Sequence, residues 1–220
     1  MNKLNQLILS FKFEQNFQNL DFYVSKSNAH VFNLIKDWPK KSEKFLNIIG
    51  DKFSGKSHLI NIFLEQNKGL KIESMNINDD FLKKTKFYEN IILEDLSTHV
   101  NEELLYSLIN IVEAENKHLI ITSKVSIAKM NFNLLDLKSR SKFFFLTTIE
   151  NPDDDLMFAL ILKNLSDRQI LIDKKLIDYI IKRINRTYSN ISDFIYKIDQ
   201  IRLKKKRSID FKIIKEALGD

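Results

Sequence analysis

The chain has 220 residues, 44% of them hydrophobic and seventeen of them Phe, which is enough to bury a sizeable core and too apolar for a disordered tail. With no Cys it has neither a disulfide framework nor a thiolate metal site, and no apolar run reaches the ~18 residues that span a bilayer. The formal charge of +6 permits work beside a polyanion, but Lys, Asn, Ile and Phe are also what AT-rich coding favours, so charge alone assigns no function.

Residues 1–20 alternate short apolar and polar stretches without a helical stripe, and Gln6-Leu7-Ile8-Leu9-Ser10-Phe11 lies among them. Residues 28–38 read as a helix that ends at Trp38-Pro39. A β/α alternation follows, with strand-like runs at Phe45–Ile49, Leu70–Met75, Asn90–Leu93, His118–Thr122 and Lys142–Ile149. Between the third and fourth, Leu104, Leu105, Leu108, Ile109 and Val112 recur at helical spacing and mark one apolar face. Five short strands separated by helices predict a parallel sheet covered by helices on both faces, an α/β sandwich. The Phe143-Phe144-Phe145 run reads as buried strand. The pattern changes at Glu150-Asn151-Pro152-Asp153-Asp154-Asp155, where Pro and a run of acids signal a linker and a helix start. Beyond it the period is helical throughout, at about 154–166, 173–186, 190–204 and 210–218. The expected division is an N-terminal segment over 1–15, an α/β domain over 16–150 and a small all-helical lid domain over 151–220.

The residues that carry chemistry are Gly50-Asp51-Lys52-Phe53-Ser54-Gly55-Lys56-Ser57, a complete G-x-x-x-x-G-K-S phosphate-binding loop between a strand and a helix. Two of the chain's four glycines occupy its fixed positions. Successive backbone N–H groups and the helix N-terminus would wrap an anionic phosphate. Lys56 would reach the outer phosphates, the Ser57 hydroxyl would bind Mg²⁺, and His58 follows in the same turn. The metal-side partner of such a loop is an acid at the end of a neighbouring buried strand. Ile91-Ile92-Leu93-Glu94-Asp95 supplies two: Glu94 to orient Mg²⁺ and Asp95 to polarise the attacking water. Glu94 stands where Asp is usual. The bland alternative for this pair is a strand that ends in solvated acids.

The order of phosphate loop, acidic strand end, a strand ending Ile121-Thr122-Ser123, an Arg-bearing segment and a helical lid resembles the AAA+ ATPase superfamily, and within it the bacterial replication initiator DnaA. Phe17–Asn28 is similar to the start of the initiator's ATPase domain. That resemblance implies that Phe22, Tyr23 and Val24 cradle the adenine of ADP or ATP. Leu137-Lys138-Ser139-Arg140 resembles an L-K-S-R segment whose Arg points into a neighbouring subunit's active site, whereas by residue type alone Arg140 is a surface side chain before a strand. The chain ends where the lid ends, without the helix-turn-helix domain that follows in the initiator. Gln6–Phe11 looks like the Q-L-x-L-x-F peptide that docks on the bacterial sliding clamp, although so short a segment also reads as a first strand or a tail packed on the core.

Together these features are similar to the DnaA-homologous regulators that inactivate the initiator after replication starts. The resemblance implies a protein that binds adenine nucleotide and the DNA-loaded clamp and lends Arg140 to initiator-bound ATP. It would meet DNA mainly through the clamp, in the bacterial cytoplasm near the nucleoid, away from any membrane, with room for a homo-oligomer. Glu94, Phe53, Lys124 (where the initiator has an acid) and Ser189 (where the lid's sensor Arg aligns) are atypical, and they point to binding without efficient turnover. Arg186, one turn before Ser189, is a candidate replacement. The four His have no mutual metal-ligand spacing, and Lys204-Lys205-Lys206-Arg207 reads as a solvated charge run or a DNA contact. Two other readings stay open. One is a self-contained ATPase of the helicase-loader or transposition-helper type. The other is a pure adaptor in which the nucleotide only stabilises the fold.

Overall fold

Alternation along the strands sets the layers. Ile91, Leu93, Leu119 and Ile121 turn to one face of the sheet, and Leu46, Ile48, Ile92 and Ile120 to the other; all are fully buried. The computed structural model describes residues 22–38 and 43–219. Its strands are β1 (Phe45–Ile49), β2 (Gly69–Glu73), β3 (Asn90–Leu96), β4 (His118–Ser123) and β5 (Phe145–Thr148). They form one five-stranded sheet in the order β2-β3-β4-β1-β5, and all four pairings are parallel. The expected α/β sandwich is therefore present. The near-continuous apolar runs of β3, β4 and β1 belong to central strands buried on both faces.

Helices α1 (Ala29–Asp37) and α2 (Lys56–Gln66) cover the Ile48 face, where Val31, Ile35, Trp38, Leu59, Ile60 and Phe63 close the core. Helices α3 (Asp79–Lys84), α4 (Glu102–Ala114) and α5 (Leu135–Arg140) cover the other. Here Phe81, the Leu105, Leu108, Ile109 and Val112 stripe of α4, and Leu137 pack on Ile91 and Ile121. Burying each such aliphatic side chain contributes about 1.5–3 kcal/mol.

The remaining helices are α6 (Asp154–Ser166), α7 (Lys174–Ile181), α8 (Tyr188–Lys205) and α9 (Phe211–Leu218), which share a separate core around Ile161, Ile180, Ile195 and Ile214. Their starts follow from short polar caps. Asp153, Asp173, Thr187 and Asp210 each accept a hydrogen bond from a backbone amide of the first turn. Helix α7 is shorter than the expected 173–186, because the Ile180 carbonyl accepts from both the Arg183 and Ile184 amides and closes the chain into a turn. Among the described residues no helix is long and apolar enough to cross a membrane.

The Phe run is a correction. Residues Ser141–Phe143 form a 3₁₀ turn and the strand begins only at Phe145. Phe143 and Phe145 are 66% and 44% exposed, and only Phe144, tilted against Phe45 at 5.2 Å, is buried. The physical reason is that β5 is an edge strand, so a run of apolar residues there does not meet protein on every side.

Candidate nucleotide-binding site

Strand β1 delivers the chain to the phosphate loop. The Gly50 amide donates to the Ser123 carbonyl at the end of β4 (3.1 Å), which fixes the start of the loop. A Cβ on Gly50 would lie 2.5 Å from Ser54 Oγ, so any larger residue here would have to displace the Ser54 hydroxyl. The loop then passes through two left-handed residues, Phe53 (φ 67°) and Gly55 (φ 91°), before α2 begins at Lys56. Gly55 tolerates this conformation, whereas Phe53 is strained there and half-exposed, with the Lys52 ammonium 5.0 Å from its ring centre. No side chain caps α2, so its first amides and its positive dipole end face the loop. Lys56 is buried, and its Nζ donates to the carbonyls of Gly50 (2.8 Å) and Asp51 (2.9 Å). Desolvation pulls the Lys56 pKa below its usual value, against the opposing attraction of Asp95 and Asp51. Ser54 Oγ, beneath the loop, is buried without a hydrogen-bond partner.

The acids come from β3. The Glu94 carboxylate is almost completely buried; its Oε2 accepts from Lys71 Nζ of β2 at 3.1 Å, and its Oε1 has no partner. Asp95 lies in a bulge between Leu93 and Leu96, at φ 51°, with its side chain exposed. The bulge is braced by the Asp95 amide, which donates to Thr122 Oγ1 (3.0 Å), and by Ser74 Oγ, which donates to the Asp95 carbonyl (2.8 Å). A non-glycine residue held in this region by two bonds stores strain of the sort found at functional sites. Ser57 is half-buried in the first turn of α2. Among the described residues no three His, Cys, Asp or Glu side chains converge as a metal site, so any ion here would rely on Ser57, Glu94 and the ligand's own oxygens.

Phe22 stacks on Phe32 (5.6 Å), meets the His58 ring edge-on (5.3 Å) and lies 3.1 Å from where a Cβ on Gly55 would sit. The two expected binding segments therefore meet at Gly55. Tyr23 and Val24 remain largely exposed. Beside the loop a cavity of about 260 Å³ is lined by Gly50, Asp51, Lys124, Glu150, Asn151 and Tyr188 among others. Lys124 Nζ stands 3.7 Å from Asp51 Oδ1. On the opposite wall the Tyr188 hydroxyl donates to the Glu150 carbonyl (3.0 Å), and burial pushes its pKa up to about 12. Asp153 ties the start of α6 to the Ser27 amide (3.3 Å). Burial would raise its pKa, but hydrogen bonds from the Leu156 amide, the Ser25 hydroxyl and the Ser27 amide outweigh that and hold it below the usual carboxylate value.

Arg140 is not part of this cleft. It closes α5 on the other face of the sheet and forms an ion pair with Glu113 of α4, half-exposed. Arg186 pairs with Asp154 of α6 (2.9 Å), and Ser189 is half-buried in the first turn of α8. Gln6, Leu7, Ile8, Leu9, Ser10 and Phe11 lie outside the described residues, as do residues 17–21. Sequence reasoning missed Lys71, Asn47, Glu113 and Tyr188. Each acts through a partner on another element, and only the composition of β2, with a Lys two residues before an acid, hinted at the first.

No family model matches the chain. It is similar to the chromosomal replication initiator DnaA of Buchnera aphidicola, 23% identical over 240 residues covering 97% of this chain and 55% of that protein. It is also similar to an uncharacterised protein of Haemophilus influenzae, 22% identical over 212 residues covering 90% of this chain and 92% of the other. The chain thus spans about half the length of the DnaA relatives it matches. Among solved structures, domain III of Thermotoga maritima DnaA superposes with a TM-score of 0.74 at 16% identity, covering 96% of this chain and 98% of that one. AMPPCP-bound DnaA from Aquifex aeolicus gives 0.63 at 19% identity over 83% of this chain and 64% of that one. The Thermotoga maritima RuvB branch migration motor gives 0.66 at 15% identity over 89% and 69%. Sheet, helices and phosphate loop together have the P-loop AAA+ fold seen in DnaA domain III and RuvB. Within that class the chain is DnaA-like, in sequence and in the fold of DnaA domain III.

Proposed function

We propose that this chain is a regulator of replication initiation of the Hda type, the DnaA-homologous inactivator of the initiator. The observation that carries the reading is the complete phosphate loop, with its buried Lys56 and acid-bearing strand end, on a fold shared with DnaA domain III. Gly50–His58 would hold the phosphates of ADP or ATP, and Phe22, Tyr23 and Val24 the adenine. Ser57 and the free Oε1 of Glu94 fit a magnesium ion at those phosphates, which would screen their charge. Gln6–Phe11 would dock on the DNA-loaded sliding clamp, so that DNA is met mainly through the clamp. The chain would then divide into a clamp-binding segment (1–15), the nucleotide-binding domain (16–150) and the lid (151–220), working beside the bacterial nucleoid.

Arg140 would act on ATP held by DnaA. Its place at the exposed end of α5, away from its own cleft, suits a residue that works in another molecule's site, and Glu113 holds it until then. An arginine so placed neutralises charge that develops on the transferred phosphoryl group, an effect of about 10³–10⁵ in rate in GTPases. The chain's own hydrolysis would be weak, because Glu94 is shared with Lys71 and the lid carries Ser189 where a sensor Arg aligns.

The test is hydrolysis of ATP pre-bound to the cognate initiator, with and without this protein and DNA-loaded clamp. Stimulation that needs Gln6–Phe11 and disappears in Arg140→Ala, with nucleotide and clamp binding retained, supports the reading. No stimulation, with intrinsic turnover that depends on Lys56 and Asp95, refutes it and favours the self-contained ATPase.

A further inference from the structure

The acid at the end of β3 already has a cation. In the parallel register Lys71 of β2 lies opposite Ile92 and Glu73 opposite Glu94, so Lys71 and Glu94 emerge on the same face, the one covered by α2. The Lys71 ammonium is held there by two acceptors, Glu94 Oε2 at 3.1 Å and Asn61 Oδ1 of α2 at 3.1 Å. The side chain of Lys71 is 35% exposed and that of Glu94 only 10%. One acceptor oxygen of Glu94 is thus occupied and the other, Oε1, is buried without a partner.

An ionised carboxylate with so few hydrogen-bond donors around it is costly to bury unless a positive charge lies beside it. In P-loop sites the acid at this strand end is neutralised by the divalent ion that accompanies the phosphates. Here the fold supplies a tethered monocation from the neighbouring strand. We propose that Lys71 competes with the divalent cation for Glu94, so that this site holds its nucleotide with little dependence on Mg²⁺. The proposal rests on the nucleotide-binding reading above. A dication at Oε1 would sit on the same carboxylate as the ammonium, and the two like charges repel across a poorly hydrated gap. Either the dication binds weakly, or Lys71 withdraws to solvent on its flexible stem and gives up both Glu94 and Asn61. Both routes weaken the metal. An ordinary structural ion pair away from any metal position would leave magnesium dependence unaffected, and that difference makes the idea testable.

The experiment titrates full-length protein with a fluorescent ADP analogue (MANT-ADP) in EDTA and in millimolar MgCl₂, for the wild type, Lys71→Met and Lys71→Arg. The wild-type Kd should change less than about threefold between the two conditions, whereas Lys71→Met should bind at least about tenfold more tightly in MgCl₂, a difference of about 1.4 kcal/mol. Lys71→Arg keeps the charge and should behave as wild type. A wild-type Kd that itself shifts tenfold or more overturns the proposal, and that measurement needs no variant to fold. A folded Lys71→Met protein as insensitive to magnesium as the wild type overturns it too. Wild-type protein that is folded by circular dichroism and binds no MANT-ADP in either buffer refutes the nucleotide reading itself, which is a separate failure.

Discussion

Asn47 ties the loop strand β1 to the end of β4, and its removal should be expensive. It is the one polar residue of β1 and is fully buried. Its Nδ2 donates to the Ile121 carbonyl (3.1 Å) and to Ser123 Oγ (2.8 Å), both on β4. Its Oδ1 accepts from the Ile127 amide (2.9 Å), which anchors the chain just after β4. Asn47→Ala leaves the Ile127 amide and the Ser123 hydroxyl without these partners in a dry interior. Each orphaned group costs about 1–3 kcal/mol, so the two together cost about 2–6 kcal/mol. Against the 5–15 kcal/mol that usually separates folded from unfolded domains, that is a large fraction. In urea unfolding followed by circular dichroism the midpoint should fall by about 1 M or more. Ser123→Ala removes one contact and leaves Asn47 Nδ2 on the Ile121 carbonyl, so it should cost about 1 kcal/mol. The double variant should cost less than the sum, because the two share a bond. An Asn47→Ala midpoint within about 0.3 M of wild type would refute the assignment of these bonds as structural.

Other consequences are open to equally direct measurement. Burial against the sheet lowers the His118 pKa, opposed by Glu89, and its ring meets Trp38 edge-on at 6.1 Å. The unfolded chain then binds more protons than the folded one below about pH 6.5, so stability should be level above that pH and fall beneath it. In His118→Asn the melting midpoint should fall less between pH 7.5 and 5.5, and an unchanged slope would contradict the assignment. In Gly55→Ala a Cβ would meet the Phe22 ring at 3.1 Å in a backbone with φ 91°. A loss of about 1–2 kcal/mol in thermal stability should accompany weaker MANT-ADP binding; a melting midpoint and Kd equal to wild type would show that the loop adjusts freely.

Much of the frame was legible in the sequence because local chemistry dictates it. The bounds of β1, α4 and α6 follow directly from apolar period and caps, as in Asn101 ahead of α4 and Asp153 ahead of α6. The phosphate loop was legible because its spacing fixes backbone geometry whatever surrounds it. What stayed hidden depends on strand order. Nothing local says that β2 lies beside β3 and delivers Lys71 to Glu94, or that β5 is an edge that leaves Phe143 and Phe145 exposed. The bulge at Asp95 was hidden for the same reason, since Thr122 and Ser74, which brace it, come from different elements.

Strand order also explains how the site behaves as a unit. The loop strand β1 and the acid strand β3 do not touch; β4 lies between them. The end of β4 holds both, through the Ser123 carbonyl on the Gly50 amide and Thr122 Oγ1 on the Asp95 amide. Thr122 and Ser123 are fully buried, so a shift of this strand end cannot be absorbed by solvent and must move the loop and the acids together. Each of three lysines at the site is already engaged: Lys56 on the Gly50 and Asp51 carbonyls, Lys71 on Glu94 and Lys124 on Asp51. Three acids, Asp51, Glu94 and Asp95, lie close enough to act on Lys56. A polyphosphate that enters such a site therefore competes with internal partners for every cation. Its binding free energy is a difference between two well-bonded arrangements, and β4 is the element through which one arrangement gives way to the other.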